Sequence, residues 1–242
     1  MNTKKTLGVI GGLGPGATAH FMNLVTDMTE AAVDQEHVEM IVFSSPSIPD
    51  RTRHILDNTQ PNPLPQMLAI GQKLAALGAE QIAIPCVTAH YFYDALETGI
   101  PVNIINGVQE TVLHLKENGI TNVGIMATDG TVASGIFRRE LTKWDMTALV
   151  PSAARQKDVM HIIFNNIKAG KPADMARFHA AANDLRQQGA QAIILGCTEL
   201  SLVKRDNPIG PGFIDAMEVL AQQSVLRCGG ILKEEYASLI TR

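Results

Sequence analysis

The stretch Ile82 to His90 reads IAIPCVTAH, and it decides how the rest of the chain is read. An apolar run, Ile82, Ala83 and Ile84, passes through Pro85 into a cysteine, a threonine and a histidine. A buried parallel strand delivers a reactive side chain to its carboxyl end in this way. The phrase returns at Ala192 to Leu200 as AIILGCTEL. Setting Cys197 on Cys86 also sets Gly189-Ala190 on Gly78-Ala79, Ile193 on Ile82, Leu195 on Ile84 and Leu185 on Leu74. A helix, a Gly-Ala turn, a strand and a cysteine repeated in register point to two related half-molecules. Each contributes one thiol.

Outward from these two phrases, strands and helices alternate. Leu7 to Ile10 reads as a buried strand and Gly11 to Ala17 as a tight turn. Phe21, Leu24, Val25 and Met28 then give the apolar face of a helix from Thr18 to about Ala32. Val38 to Phe43 reads as a second strand, followed by the turn-rich Ser44 to Thr52 and a proline-bearing loop from Asn58 to Pro65. Met67 to Leu77 reads as a helix closed by Gly78. Val102 to Ile105 adds a strand and Val108 to Glu117 a helix. The second half restarts with a strand at Asn122 to Met126 and a short one at Ala148 to Val150. Its helices are expected at Ser134 to Thr142, Val159 to Lys168 and Pro172 to Gln188. Beyond Cys197 come a loop from Asn207 to Gly212, a helix from Ile214 to Leu226 and a short addition from Glu234 to Thr241. The alternation implies parallel βαβ units, hence an α/β fold of two similar domains, each a parallel sheet flanked by helices. Residues 1–103 with 211–242 are expected to form the first domain and 104–210 the second, because the last helices return to the first half.

Composition narrows the function classes. The chain has 242 residues, enough for two domains with real cores, and its 45% hydrophobic and 18% charged content is that of a soluble globular protein. A net charge of −4 with no Lys/Arg cluster argues against nucleic acid as a partner. No run approaches the length of a membrane span, and the N-terminal apolar stretch is too short and glycine-broken for a secretion signal. Three cysteines do not make a disulfide framework, so a reducing, cytoplasmic setting is expected.

Gly12-Leu13-Gly14-Pro15-Gly16-Ala17 satisfies the dinucleotide pattern G-x-G-x-x-A. Two features oppose that reading. Pro15 removes a backbone donor from the phosphate cradle. The second strand ends in Ser44-Ser45, with no acidic residue for a ribose. A nest of backbone donors around Leu13 and Gly14 suits a small carboxylate instead. Cys86 and Cys197 each stand at a strand end, where open α/β sheets bind ligands, and a following helix N-terminus is expected to lower a thiol pKa. Cys228 lacks that setting and reads as an inert buried residue. The chain has no C-x-x-C, and its seven histidines show no ligand spacing, so neither metal nor cofactor is expected.

Four motifs, GGLGPGAT, SIPDRT, IPCVTAH and LGCTEL, occur in order at Gly11, Ser47, Ile84 and Leu195. Together they resemble the aspartate/glutamate racemases, the PLP-independent branch of the aspartate, glutamate and hydantoin racemase superfamily. The resemblance spans essentially the whole chain. It implies two α/β domains facing each other across a cleft, often as a homodimer, with Cys86 and Cys197 on opposite faces of a substrate α-carbon. By the same resemblance Cys197 serves the L form and Cys86 the D form, Arg51 matches the carboxylate-binding arginine, and Lys168 matches the second-domain lysine. The chemistry agrees. Inversion through a planar carbanion needs a base on one face and an acid on the other, and two thiols supply both. A guanidinium fork suits a carboxylate. Thr88 and Thr198 can donate to the α-carboxylate or cap helices. Glu199, where glutamate racemases have histidine, can orient or deprotonate Cys197 or simply begin a helix. His90 reads as structural.

One departure stands out. The family phrase is Cys-Asn-Thr, and here Val87 holds the asparagine position. Valine neither donates nor accepts a hydrogen bond, which bears on the substrate more than on the acid–base chemistry. The expectation is a cofactor-independent racemase of aspartate or glutamate. Hydantoin racemisation, maleate-type isomerisation and non-catalytic carboxylate binding are the alternatives, and Arg51 and Lys168 favour a dicarboxylate over a neutral hydantoin.

Overall fold

A computed structural model describes residues 4–241. The first half contains β1 (Leu7–Gly11), α1 (Pro15–Met28), β2 (Met40–Ser44), α2 (Arg51–Leu56), α3 (Leu64–Ala76), β3 (Gln81–Ala83), α4 (Tyr93–Gly99) and β4 (Asn103–Ile104). The second contains α5 (Gly107–Glu117), β5 (Asn122–Ala127), α6 (Asp129–Ser134), α7 (Ile136–Thr142), β6 (Thr147–Leu149), α8 (Ala153–Met160), α9 (Met175–Gln187), β7 (Ala192–Gly196), α10 (Thr198–Asp206), β8 (Phe213–Asp215) and α11 (Ala216–Arg227). The strands form two four-stranded parallel sheets, ordered β2-β1-β3-β4 and β6-β5-β7-β8.

The two orders are the same, so the repeat around the cysteines extends to the topology. β7 takes the place of β3, and β5 that of β1. Packing repeats with it. A Cβ on Gly8 of β1 would strike Leu74 and Ile82, and one on Gly124 of β5 would strike Leu185 and Ile193. These contacts are the pairs already matched in sequence. Gly78 and Gly189, which close the preceding helices, both take positive φ, at 99° and 96°.

Three apolar clusters hold the fold. One lies between the first sheet and α3 and α4, around Ile10, Met67, Leu74, Ile82 and Leu96. Its counterpart in the second half gathers Met126, Ile163, Phe178, Leu185, Ile193 and Phe213. The largest joins the inner faces of both sheets, Val9 and Ile194 included, through α1, α5 and α11. The strands of such doubly covered sheets are buried on both faces, which is why β1 and β7 read as unbroken apolar runs.

Several local expectations are corrected. Arg51 opens α2 inside what reads as a turn, because Asp50 caps the helix by accepting from the Arg53 amide. α1 starts at Pro15, a residue suited to a first helical position, not at Thr18. The Cys86 strand is short: β3 ends at Ala83, before Pro85 removes a ladder donor. The expected helix from Val159 is α8 continued by a π-helix, His161–Ile167. The helix expected from Ser134 begins at Ile136 as α7, and Gly135, at φ 66°, separates it from a short helix, α6, that the sequence reading did not include. Phe213–Asp215 is strand, not helix, and pairs with β7. α11 then packs on both α1 and α5.

Candidate active site

Cys86 is the residue before a 3-10 helix, Val87–Phe92, and Cys197 the residue before α10; both have extended backbone. Both side chains are buried, and both line one small pocket of about 20 Å³ at the carboxyl ends of β3 and β7. Leu13, Arg51, Val87, Thr88, Lys168, Thr198 and Glu199 line the same pocket. An open outer chamber of about 490 Å³ adjoins it, sharing Leu13, Asp50, Arg51, Lys168 and Glu199 and adding Gly14 and the start of α1. Every residue expected at the site therefore borders one of two adjoining spaces.

The Cys197 side is a chain of charged contacts. Its thiol donates to Glu199 Oε2 at 2.9 Å, and Glu199 Oε1 lies 3.3 Å from Lys168 Nζ. Burial, reinforced by the Glu199 carboxylate, pushes the Cys197 thiol well up. The expectation that a helix N-terminus lowers this pKa is thus overturned, since desolvation and an adjacent anion outweigh the helix dipole here. Burial pulls the Lys168 ammonium down, but Glu199 and the two cysteines outweigh it and the net direction is up. Lys168 also sits 5.0 Å above the Phe164 ring.

Arg51 is tied mainly to backbone. It donates to Leu13 O at 2.9 Å and Pro49 O at 3.0 Å, with a longer contact to Ile48 O, and its buried Nε has no partner among the described residues. The guanidinium thereby pins the glycine turn to the loop before α2. In that turn Gly12 N donates to Thr18 Oγ1, so one turn donor is already satisfied internally. Gly14 lets the turn come close to the acid: a Cβ there would lie 3.0 Å from Glu199 Oε1, so a side chain would press on that carboxylate.

Four threonines, of which sequence reading placed only Thr88 at the site, join the two halves, and three of them, Thr52, Thr88 and Thr128, line the inner pocket. Thr88 Oγ1 lies 3.1 Å from Thr128 and 2.9 Å from Thr131, and Thr52 donates to Thr128 at 3.2 Å. Thr52 and Thr88 come from the first half, Thr128 and Thr131 from the second. Thr128 is visible in sequence only as a cap, accepting from the Thr131 amide at the start of α6. Among the described residues no group of acidic, cysteine or histidine side chains is arranged to hold a metal ion.

This geometry can be set beside known proteins. Residues 10–224 match the family model for Asp/Glu/Hydantoin racemase. The chain belongs to the Asp/Glu/hydantoin racemase family. As a member it is an amino-acid racemase, an isomerase acting on small amino-acid substrates. It is similar to the broad specificity amino-acid racemase RacX of Bacillus subtilis, at 26% identity over 90% of this chain and 96% of that one. It is also similar to the Picrophilus torridus aspartate racemase, at 31% identity and a TM-score of 0.83, covering 96% of this chain and 97% of that one. The aspartate racemase homologue of Pyrococcus horikoshii, at 20% identity and a TM-score of 0.73, covers 93% and 99% and shares the fold. Among its described residues the racemase has no helix long and apolar enough to cross a membrane.

Proposed function

We propose that this racemase inverts an acidic amino acid, aspartate or glutamate, by two-base proton transfer between Cys86 and Cys197. The observation that carries the reading is that both thiols line a single pocket with two cations, Arg51 and Lys168, at its edge. In one direction the Cys86 thiolate takes the α-proton, and the Cys197 S–H delivers its own proton to the opposite face of the carbanion. The product is the other enantiomer, with Cys86 now protonated and Cys197 a thiolate. The reverse direction exchanges the roles. Glu199 holds the Cys197 proton between turnovers and receives it when Cys197 must act as base. Thr88 and Thr198 donate to the α-carboxylate, and the side-chain carboxylate extends toward Arg51, Lys168 and the amides around Leu13 and Gly14. The inner pocket holds about one water's volume, so binding separates the Lys168–Glu199 pair and opens the wall between the two spaces. The reaction needs no PLP in this reading: the electron pair left by the α-proton passes into the α-carboxylate, where Thr88 and Thr198 donate to the developing charge, until the second thiol returns a proton to the carbon.

The test is replacement of each thiol in turn. Cys86→Ala and Cys197→Ala should each lower racemisation of aspartate and glutamate by at least a thousandfold. In deuterated water each variant should still exchange the α-proton of one enantiomer, and the two variants should differ in which one. Full activity in either variant would remove the paired-thiol mechanism. Chiral chromatography of an amino-acid panel ranks the substrates.

A further inference from the structure

His90 lies outside the chemistry just described, yet it is buried and both ring nitrogens are bonded. Gly107 N donates to His90 Nε2 at 3.1 Å. A backbone amide can only donate, so Nε2 carries no proton. Nδ1, 3.1 Å from Cys86 O, must then carry one, because a carbonyl can only accept. The contacts therefore fix a neutral ring in a single tautomer, a donor at one end and an acceptor at the other. A protonated ring would set an N–H against the Gly107 N–H.

The two ends of this bridge are distinct parts of the molecule. Cys86 belongs to the strand-end loop of the first sheet. Gly107 is the first residue of α5, reached after β4 ends and the chain leaves that sheet. A second ring lies beside the same crossing: Tyr93 is parallel to His90 with centroids 6.5 Å apart, and its one hydroxyl proton is shared between Glu97 Oε1 at 2.8 Å and Ile104 O at 3.1 Å. A Cβ on Gly107 would lie 3.3 Å from Nε2, so the amide approaches the ring with little slack. Asp94, Arg139, Glu140 and Lys143 border the same crevice, but none of them hydrogen-bonds the ring.

We infer that His90 is a positioning residue for Cys86, bridging the Cys86 carbonyl to the Gly107 amide so that this thiol is fixed relative to the chain crossing. Among the described residues Cys197 has no such bridge, and its thiol instead donates to Glu199. The inference rests on the two-thiol mechanism and predicts an effect confined to one of its two proton transfers.

The experiment uses His90→Gln in the full chain, a side chain that donates and accepts but does not span the same two atoms. Racemisation of both enantiomers of α-deuterated aspartate and glutamate is compared with that of the protiated forms. kcat should fall about ten- to hundredfold, as a small misplacement of a reacting group does, with KM changed less than threefold. The deuterium isotope effect should rise for the enantiomer whose α-deuteron goes to Cys86 and shrink for the other, because transfer at Cys86 becomes the slower step in both directions. Unchanged kcat, or isotope effects that move together, would overturn the inference. If instead Cys86→Ala keeps full activity, it is the two-thiol reading that fails. Should His90→Gln not fold, ring ¹⁵N spectra of the wild-type protein at neutral pH decide. A neutral Nδ1–H ring is expected, and an Nε2–H or doubly protonated ring would overturn the bridge.

Discussion

Among the site residues, Glu199 changes the chemistry most, because it touches both a thiol and an ammonium. Its carboxylate is one of the reasons that the Cys197 pKa is high. Glu199→Gln keeps a hydrogen-bond acceptor and removes the charge, so the thiolate becomes easier to form. The pH dependence of Cys197 alkylation by iodoacetamide, followed by peptide mass spectrometry, should therefore move to lower pH in the variant. An unmoved profile would return the high pKa to burial alone. Val87 is the second residue of interest, since it walls the inner pocket and also belongs to the large shared core. Val87→Asn should raise kcat/KM for acidic amino acids several-fold while costing stability, on the order of 1–3 kcal/mol if the amide lacks a partner without substrate. A variant that folds but is slower on every acidic amino acid shows valine fitted to a different ligand. The thiols themselves were legible because the chain repeats around them. Thr52, Thr128 and Thr131 were not, because Thr128 and Thr131 show locally only as a helix cap, and Thr52 and Thr88 reach them only when the two halves face each other.

At the scale of elements, the π-helix His161–Ile167 aims Lys168. Lys168 N bonds back to Ile163 O, the i−5 carbonyl, at 3.0 Å, so the helix is wider here by one residue. Such insertions recur at functional sites because they redirect a side chain without breaking the element. Deleting the exposed Asn165 should restore α-helical register and rotate Lys168 by about 100° away from Glu199. KM for aspartate and glutamate should then rise at least tenfold, with the far-ultraviolet circular dichroism unchanged. A wild-type KM in that variant would show that Lys168 does not hold the substrate. The helix itself was visible from its apolar spacing, but the π segment was not. Ile162, Ile163 and Ile167 suit either period over so short a run. The shortness of β3 was readable in principle, since Pro85 marks where the ladder must stop.

The whole molecule is two copies of one sheet order joined by a shared core, and this too was half legible. The copies follow from matched residues such as Leu74 and Leu185. The joining core does not, because α5 and α11 reach it only through contacts distant in sequence. Two buried histidines within this joined body tie its stability to pH. Burial lowers the pKa of both His90 and His114, and each accepts a backbone amide at Nε2, from Gly107 and Leu239. With the folded pKa depressed, their contribution is complete above about pH 6.5 and is lost as pH falls toward the folded values. Asp215 acts oppositely: burial raises it to about 7, so its contribution is greatest under acid and fades as pH rises to that value. His114→Gln isolates one component. Its urea midpoint should fall less than that of the wild type between pH 7.5 and pH 5, and parallel losses would show that His114 does not titrate on unfolding. Finally, the repeated halves are not equal where they meet, for Cys197 faces a carboxylate and Cys86 has no acidic hydrogen-bond partner among the described residues. Mirror-image substrates have equal free energy, so no catalyst can favour one at equilibrium, and the Haldane relation forces kcat/KM to be the same in both directions. Unequal thiols are free to act only on saturation. When regeneration of the starting protonation state limits turnover, the direction that begins from the rarer state runs with the lower kcat and, in the same proportion, the lower KM.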